Sequence, residues 1–237
     1  MPLPRWFPRG RAPYAVFVVG VALTLLGTYY VVRTGAARDE MRFRATADEI
    51  RHLIEIHLHT YIEVLRAGVA LFSASDTVTR DEFRAFVSHL RLRERYPGIQ
   101  GMGFAMRVSP HQDSIFLWPR GERDGYTSVV YLEPLDERNQ RAIGYDMYSD
   151  AVRRAAMERA RDTGEPTASG KVRLVTEFGG DATQAGFLIF VPVYRTGTSP
   201  QTVEERREAL VGYVYSPFRA DDLLHGILGP TSRELGL

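Results

Sequence analysis

The sequence predicts an α+β protein tied to a membrane, with helices first and then an antiparallel sheet interrupted by further helices. Three observations predict it. An uncharged apolar run lies near the N-terminus, a long proline-free stretch carries apolar residues at helical spacing, and five short apolar and aromatic segments alternate with turn signals. The order is two long helices, two strands, one helix, three strands and one helix, which excludes the strict βαβ alternation of a doubly wound nucleotide fold.

The first element is the apolar run. Residues 14–32 read YAVFVVGVALTLLGTYYVV without a charge, and at 1.5 Å per residue they span roughly 28 Å, about one hydrocarbon core. Tyr14, Tyr29 and Tyr30 sit at the ends, where aromatic rings settle at an interface, and Arg11 and Arg33 bracket the span. A buried core helix and a cleaved signal peptide are the alternatives; Arg5, Arg9 and Arg11 would form the positive region, with Gly35 and Ala37 near the cleavage point. The run is longer than the usual signal-peptide core of about 7–15 residues, which favours an uncleaved anchor. Residues 1–13 form a tail before it. Arg38, Arg42 and Arg44 follow the span as arginines precede it, so charge does not assign an orientation.

The second element is a stalk helix. From Arg38 to Ala74, Phe43, Ala47, Ile50, Ile54, His57, Tyr61, Val64, Gly68 and Leu71 alternate steps of four and three, and Leu58, Ile62, Leu65, Val69 and Phe72 form a second stripe. Two arrangements follow: one stripe against the chain's own domain and one against a second copy in a parallel homodimer, or a single helix laying a wide apolar face across a sheet. His52, His57 and His59 give no metal-binding face, because 57 and 59 point to nearly opposite sides of a helix. Thr79 to Glu82 is a capping box opening a further helix with the stripe Phe83, Phe86, Val87 and Leu90; Tyr96-Pro97-Gly98 stops it. Stalk and second helix together cover 38–95.

Strands follow. Residues 99–108 and 126–133 read as strands on either side of a polar stretch containing Gly121 and Gly125. Asp150 or Ser149 caps a helix over 151–163, ended by Gly164 and Pro166. Residues 171–178, 186–194 and 209–215 are the remaining strands, Thr202 to Glu205 caps a short helical turn, and 218–228 is a final amphipathic helix. Residues 229–237 are a short tail without an output motif, so the chain reads as truncated.

Composition narrows the function. Thirty Lys and Arg against 29 Asp and Glu leave a net charge of +1, which gives no global field for nucleic acid. The absence of cysteine excludes disulfides, thiolate metal sites and cysteine nucleophiles, and Lys171, the only lysine, confines Schiff-base chemistry to one position. No Gly-x-Ser-x-Gly elbow or P-loop occurs, and His89, His111 and His225 are scattered singly.

Six phrases occur in order: Tyr96-Pro97-Gly98-Ile99-Gln100-Gly101-Met102-Gly103-Phe104, Tyr131-Leu132-Glu133-Pro134, Gly144-Tyr145-Asp146-Met147, Arg159-Ala160-Arg161-Asp162-Thr163-Gly164, Gly186-Phe187-Leu188-Ile189-Phe190-Val191-Pro192-Val193-Tyr194 and Gly212-Tyr213-Val214-Tyr215. Together they resemble the CHASE family, extracytoplasmic input modules of bacterial and plant membrane receptors, over 96–228. The resemblance implies a stalk helix, two PAS-like antiparallel-sheet subdomains, the second incomplete here, and a small-molecule ligand held in the membrane-distal one. It also implies that a histidine kinase or cyclic-di-nucleotide enzyme would follow a second membrane helix; the membrane helix with a motif-poor ectodomain fits a binding module rather than an enzyme, and no cofactor or metal is expected.

Family ligand contacts, an acidic residue before the central helix and a small hydroxyl after it, fall on Asp136 or Glu137 and on Ser169. The charged insert 133–140 departs from the plant pattern, which speaks against cytokinin as ligand. From the residues themselves, strands 171–178 and 186–194 alternate as pocket walls would, adding Arg173, a fork for carboxylate or phosphate, with Thr176 and Phe187. Solvent-facing Arg173 and Thr176, and a solvated loop for Asp136 and Glu137, are the alternatives. Two further functional classes stand beside the sensor: a membrane-anchored hydrolase drawing its acid and base from Asp136, Glu137, Asp146 and Glu177, and a dimerisation or anchor module that binds no small molecule.

Overall fold

The computed structural model describes residues 12–108, 125–177 and 185–229. The tails, the polar stretch around Gly121, and Phe178 lie outside the described residues.

Helix α1 (Ala12–Ser73) opens the chain, and chain contacts divide it into two units, 1–53 and 54–237. In the first unit, Pro13–Tyr30 is long and apolar enough to cross a membrane, and none of it is packed against protein. Its large side chains, Phe17, Leu23, Leu25 and Leu26 among them, stand fully outward. A core helix would bury such residues, so this window suits a lipid environment.

The second unit holds one five-stranded antiparallel sheet. Its strands are β1 (Met102–Val108), β2 (Tyr126–Glu133), β3 (Thr167–Ala168), β4 (Gly186–Tyr194) and β5 (Leu210–Arg219), in the order β2-β1-β5-β4-β3. Where two subdomains were expected, the described residues form one sheet, because β1 and β5 pair directly through Gly103 and Tyr215 and join all strands. A bulge between Phe104 and Ala105 leaves Val130 as the extra residue of β2, and Arg80 donates to its freed carbonyl at 3.2 Å. Segment 144–146 bonds the outer edge of β2 through Val129 and Ser128, which keeps that edge from solvent.

Each face of the sheet has its own core. On one face lie Phe104, Ile189, Val191, Val214 and Phe218, packed by Tyr61, Val64 and Leu65 of α1 and by Phe83 and Val87 of α2 (Arg80–Leu90). Leu58, Ile62, Val69 and Phe72 pack on this core as well, so over 58–72 both apolar stripes of α1 are taken up by the chain's own sheet. The Thr79 capping box forms as expected, and Arg91 in the left-handed region separates α2 from a single turn, α3 (Leu92–Arg95). On the opposite face, Ala105, Val129, Leu188, Phe190, Tyr213 and Tyr215 are covered by α5 (Ala151–Thr163) through Ala156, Met157 and Ala160, and by Met147, Val172 and Leu174.

Three local expectations are corrected. Residues 171–178 do not form a strand: Val172 makes an isolated bridge to Gly186, and Val175–Glu177 is a 3-10 turn. The Arg173 carbonyl is taken by the Arg153 guanidinium at 2.5 Å, so a side chain occupies the place of a ladder partner. Strand β5 runs on through Phe218, and the last helix, α7, is Ala220–Leu228, because Ile99 bridges Phe218 and the Gln100 amide donates to Pro217. The charged insert holds a helical turn, α4 (Glu137–Gln140), and the Thr202 box opens α6 (Val203–Ala209).

Candidate functional site

The two faces differ in chemistry. The α1 face is aliphatic and aromatic, whereas the α5 face adds a row of buried hydroxyls and a buried cation. Strand alternation places Tyr213 and Tyr215 side by side there, about 7 Å apart along β5. Gly103 admits the second ring: a Cβ at that position would stand 2.5 Å from Tyr215 Cζ.

Helix α5 supplies the cation. Residues 153, 156, 157 and 160 form its buried stripe, and the first of them is arginine. Arg153 is 2% exposed; Nη1 donates to Tyr145 Oη at 3.2 Å and lies 3.5 Å from Asp150, and Nη2 donates to the Arg173 carbonyl. Among the described residues, Arg153 Nε and Tyr215 Oη are the two buried side-chain polar atoms without a hydrogen-bond partner. Asp150 caps the helix by accepting from the Arg153 amide, as the sequence indicated. The turn before it, Met147–Ser149, is capped by Asp146, whose Oδ1 accepts from the amides of Thr127 and Tyr148. That geometry directs Tyr148 inward, where its hydroxyl meets Tyr213 Oη at 3.0 Å. Burial pushes the hydroxyls of Tyr148, Tyr213 and Tyr215 above the ordinary tyrosine value, so all three stay protonated at physiological pH.

A cleft of about 320 Å³ is lined by Tyr148 together with Arg107, Tyr126, Arg154, Glu158, Arg161 and Leu210. Beside it, Asp162 ties α5 to α6. Arg207 grips both its carboxylate oxygens at 3.0 and 2.6 Å, Arg161 donates at 2.6 Å, and these bonds, Arg207 first, hold its carboxyl well below the usual carboxylate range. Its folded pKa is depressed, so its stabilisation is present above the unfolded value near ~3.9 and is lost as pH falls below it. Asp162→Asn is therefore expected to lower the urea midpoint at pH 7, with the deficit narrowing below about pH 4. An equal deficit at pH 7 and pH 2.5 would contradict this.

The expected site residues are only partly brought together. Asp136 and Thr176 share a cleft of about 350 Å³ with Arg93, Gln100, Asn139 and Arg219. Asp136 caps α4 by accepting from the Asn139 amide and is bonded by Arg93; burial raises its pKa, but these bonds outweigh burial and leave it lowered. Ser169 is enclosed in sheet pairing, its Oγ accepting from the Leu188 amide and donating to the Gly170 carbonyl. Arg173 turns its side chain to the exterior, and Phe187 stacks on Phe218 at 5.0 Å in the α1-face core.

Of the carboxylates considered for hydrolysis, Asp136 follows the Glu133 end of β2 while Asp146 is bound at Thr127, on the order of 20 Å away along the strand. Glu137 is exposed on α4, and the Glu177 side chain lies outside the described residues. A wider groove of about 530 Å³ beside α2 contains buried Glu133, which Arg84 and the Leu135 amide already hold. Sequence reasoning missed Arg153, Tyr213 and Tyr215. The available signal was an arginine in an otherwise Ala and Met stripe, facing a Tyr-Val-Tyr alternation.

A CHASE domain profile matches residues 76–237, more than half of the sequence. The chain belongs to the CHASE domain family. This CHASE domain is similar to hybrid signal transduction histidine kinase A of Dictyostelium discoideum, 25% identical over 241 residues, covering 88% of this chain and 11% of that protein. It is also similar to probable histidine kinase 6 of Oryza sativa subsp. japonica, 23% identical over 243 residues, covering 93% of this chain and 24% of that protein. The chain thus spans a quarter or less of the curated relatives it matches.

Two solved structures align with the CHASE chain at TM-scores of 0.46. One is the ligand-binding domain of the Pseudomonas aeruginosa amino acid chemoreceptor PctC with GABA, 11% identical and covering 74% of this chain and 63% of that one. The other is an extracellular ligand-binding receptor of Desulfohalobium retbaense, 12% identical and covering 78% and 27%.

Proposed function

We propose that this CHASE domain is the extracytoplasmic, ligand-sensing part of a single-pass or longer membrane receptor, and that its small-molecule ligand binds against the α5 face of the sheet. The observation that carries this reading is the surplus of buried donors there, Arg153 Nε and Tyr215 Oη, together with a cleft lined by Tyr148, which is bonded to Tyr213 of the same face. A few convergent polar groups on apolar walls are what a small-molecule site needs. The described sheet is taken as the membrane-distal, PAS-like subdomain. Its role is binding rather than chemistry, and a histidine kinase is the output that the relatives support; the Asp136 and Thr176 cleft, at the other end of β2, is the alternative place for a ligand.

Strand β5 supports a route for the signal. Tyr213 and Tyr215 face the ligand side, while Val214 and Phe218 of the same strand touch α1, Phe218 by stacking on Tyr61 at 5.5 Å. A ligand that binds one of two β5 positions more tightly shifts the stalk packing by its differential affinity. Both stripes over 58–72 are already buried, so parallel homodimer pairing is assigned to α1 before His57, where Ile56 is exposed.

The chain has no native cysteine, so single cysteines at positions 52, 56 and 59 report on pairing alone. Expected are cross-linked dimers at 56 in native membranes, with yields that change when a stabilising small molecule is added. Monomers at every position would remove the dimer, and yields indifferent to every compound that raises the melting temperature would remove the transmission route.

A further inference from the structure

We infer that the ligand received on this face is a small organic carboxylate, held by Arg153 and Tyr215; the inference rests on the ligand-face reading above. Arg153 is a guanidinium buried to 2% exposure whose carboxylate contact, Asp150, lies at 3.5 Å. Its Nε–H and the Tyr215 hydroxyl are both donors, both enclosed, and both without a partner among the described residues. What each of them lacks is an acceptor. A buried donor left unpaired is costly, and an anion that accepts from both removes that cost while balancing the guanidinium charge. A carboxylate offers two oxygens in one plane, the shape that a guanidinium edge and a neighbouring hydroxyl can share.

The approach has the matching sign. Arg107, Arg154 and Arg161 line the outer cleft against a single acid, Glu158, which favours the entry of an anion. Tyr148 lines the same cleft and is bonded to Tyr213, and Tyr215 is the next residue on the same face of β5. The walls around this row are Met157, Leu188 and Phe190, which suit a short apolar body behind the charged group and leave no further charge to pair a second anionic centre.

The test is thermal unfolding of the full chain in a non-ionic detergent, titrated with sodium butyrate at constant ionic strength against sodium chloride, with inorganic phosphate and adenine run in parallel. Butyrate is expected to raise the melting temperature saturably. Tyr215→Phe, which keeps the ring, is expected to weaken half-saturation at least tenfold, and Arg153→Gln to abolish the response. Should Arg153→Gln fail to fold, the isosteric Tyr215→Phe variant alone decides.

A butyrate response equal in parent and Tyr215→Phe proteins would overturn the inference, since the anion would then bind elsewhere. Phosphate stabilising through Tyr215 with butyrate inert would also overturn it. Adenine stabilising in a manner lost in Tyr213→Phe, with butyrate inert, would overturn the carboxylate and leave the ligand face standing. No response to any of the three would overturn both.

Discussion

Replacing Phe218 with alanine is expected to cost about 3–5 kcal/mol, the range for removing a fully enclosed aromatic side chain. Phe218 is 0% exposed and stacks between Tyr61 at 5.5 Å and Phe187 at 5.0 Å. It therefore joins α1, β4 and β5, and its backbone bridges Ile99. Tyr61 is fixed from above by its hydroxyl, which donates to the Pro97 carbonyl at 2.8 Å, so the rings cannot easily collapse into the gap. Typical domains hold only about 5–15 kcal/mol in total, which makes this one substitution a large fraction of the whole. The check is urea unfolding of the full chain in detergent, where the midpoint should fall with an unchanged slope. A loss under about 1 kcal/mol would mean that the stack does not carry the join assigned to it.

Replacing Gly103 with valine is expected to destabilise by about 3 kcal/mol, at the upper end of the overpacking range, and to disturb the ligand face as well. A Cβ there would stand 2.5 Å from Tyr215 Cζ and 2.7 Å from the Tyr131 carbonyl oxygen. A ring can tilt, but a carbonyl in the β1–β2 ladder cannot move without breaking pairing. The relief is therefore partial: Gly103→Val with Tyr215→Ala, itself the loss of a buried ring, should cost less than the sum of the two single changes, and a double-mutant cycle measures by how much. Strict additivity of the two would show that Gly103 and Tyr215 do not meet.

Much of this protein was legible in its sequence because its signals are local. Thr79 with Glu82, and Thr202 with Glu205, announce helix starts through bonds that close within four residues, and both boxes form. Asp150 and Gly164 bound α5 for the same reason. The family phrases, from Tyr96-Pro97-Gly98 onward, were equally readable, and the profile match agrees with them.

The site was less legible. Asp136 and Ser169 belong to residue types that serve ligands and backbone caps equally well, and the tertiary structure uses both on the backbone: Asp136 on the Asn139 amide, Ser169 on the Leu188 amide. Arg153 carries only one local sign of burial, its place in the stripe of Ala156, Met157 and Ala160, and that sign competes with the rule that an arginine on a helix is ordinarily solvated.

What the sequence determined by itself is most of the elements and their caps, the apolar run 14–32 and the family. What only the tertiary structure decided is the pairing of residue 103 with residue 215, the single sheet that results, and the choice of face for each stripe. It also decided that the Arg173 carbonyl would bind a guanidinium in place of a strand. The physical reason is range. Capping and periodicity act over a few residues, whereas sheet register and the burial of a charge are set by partners far along the chain, which the local pattern does not name.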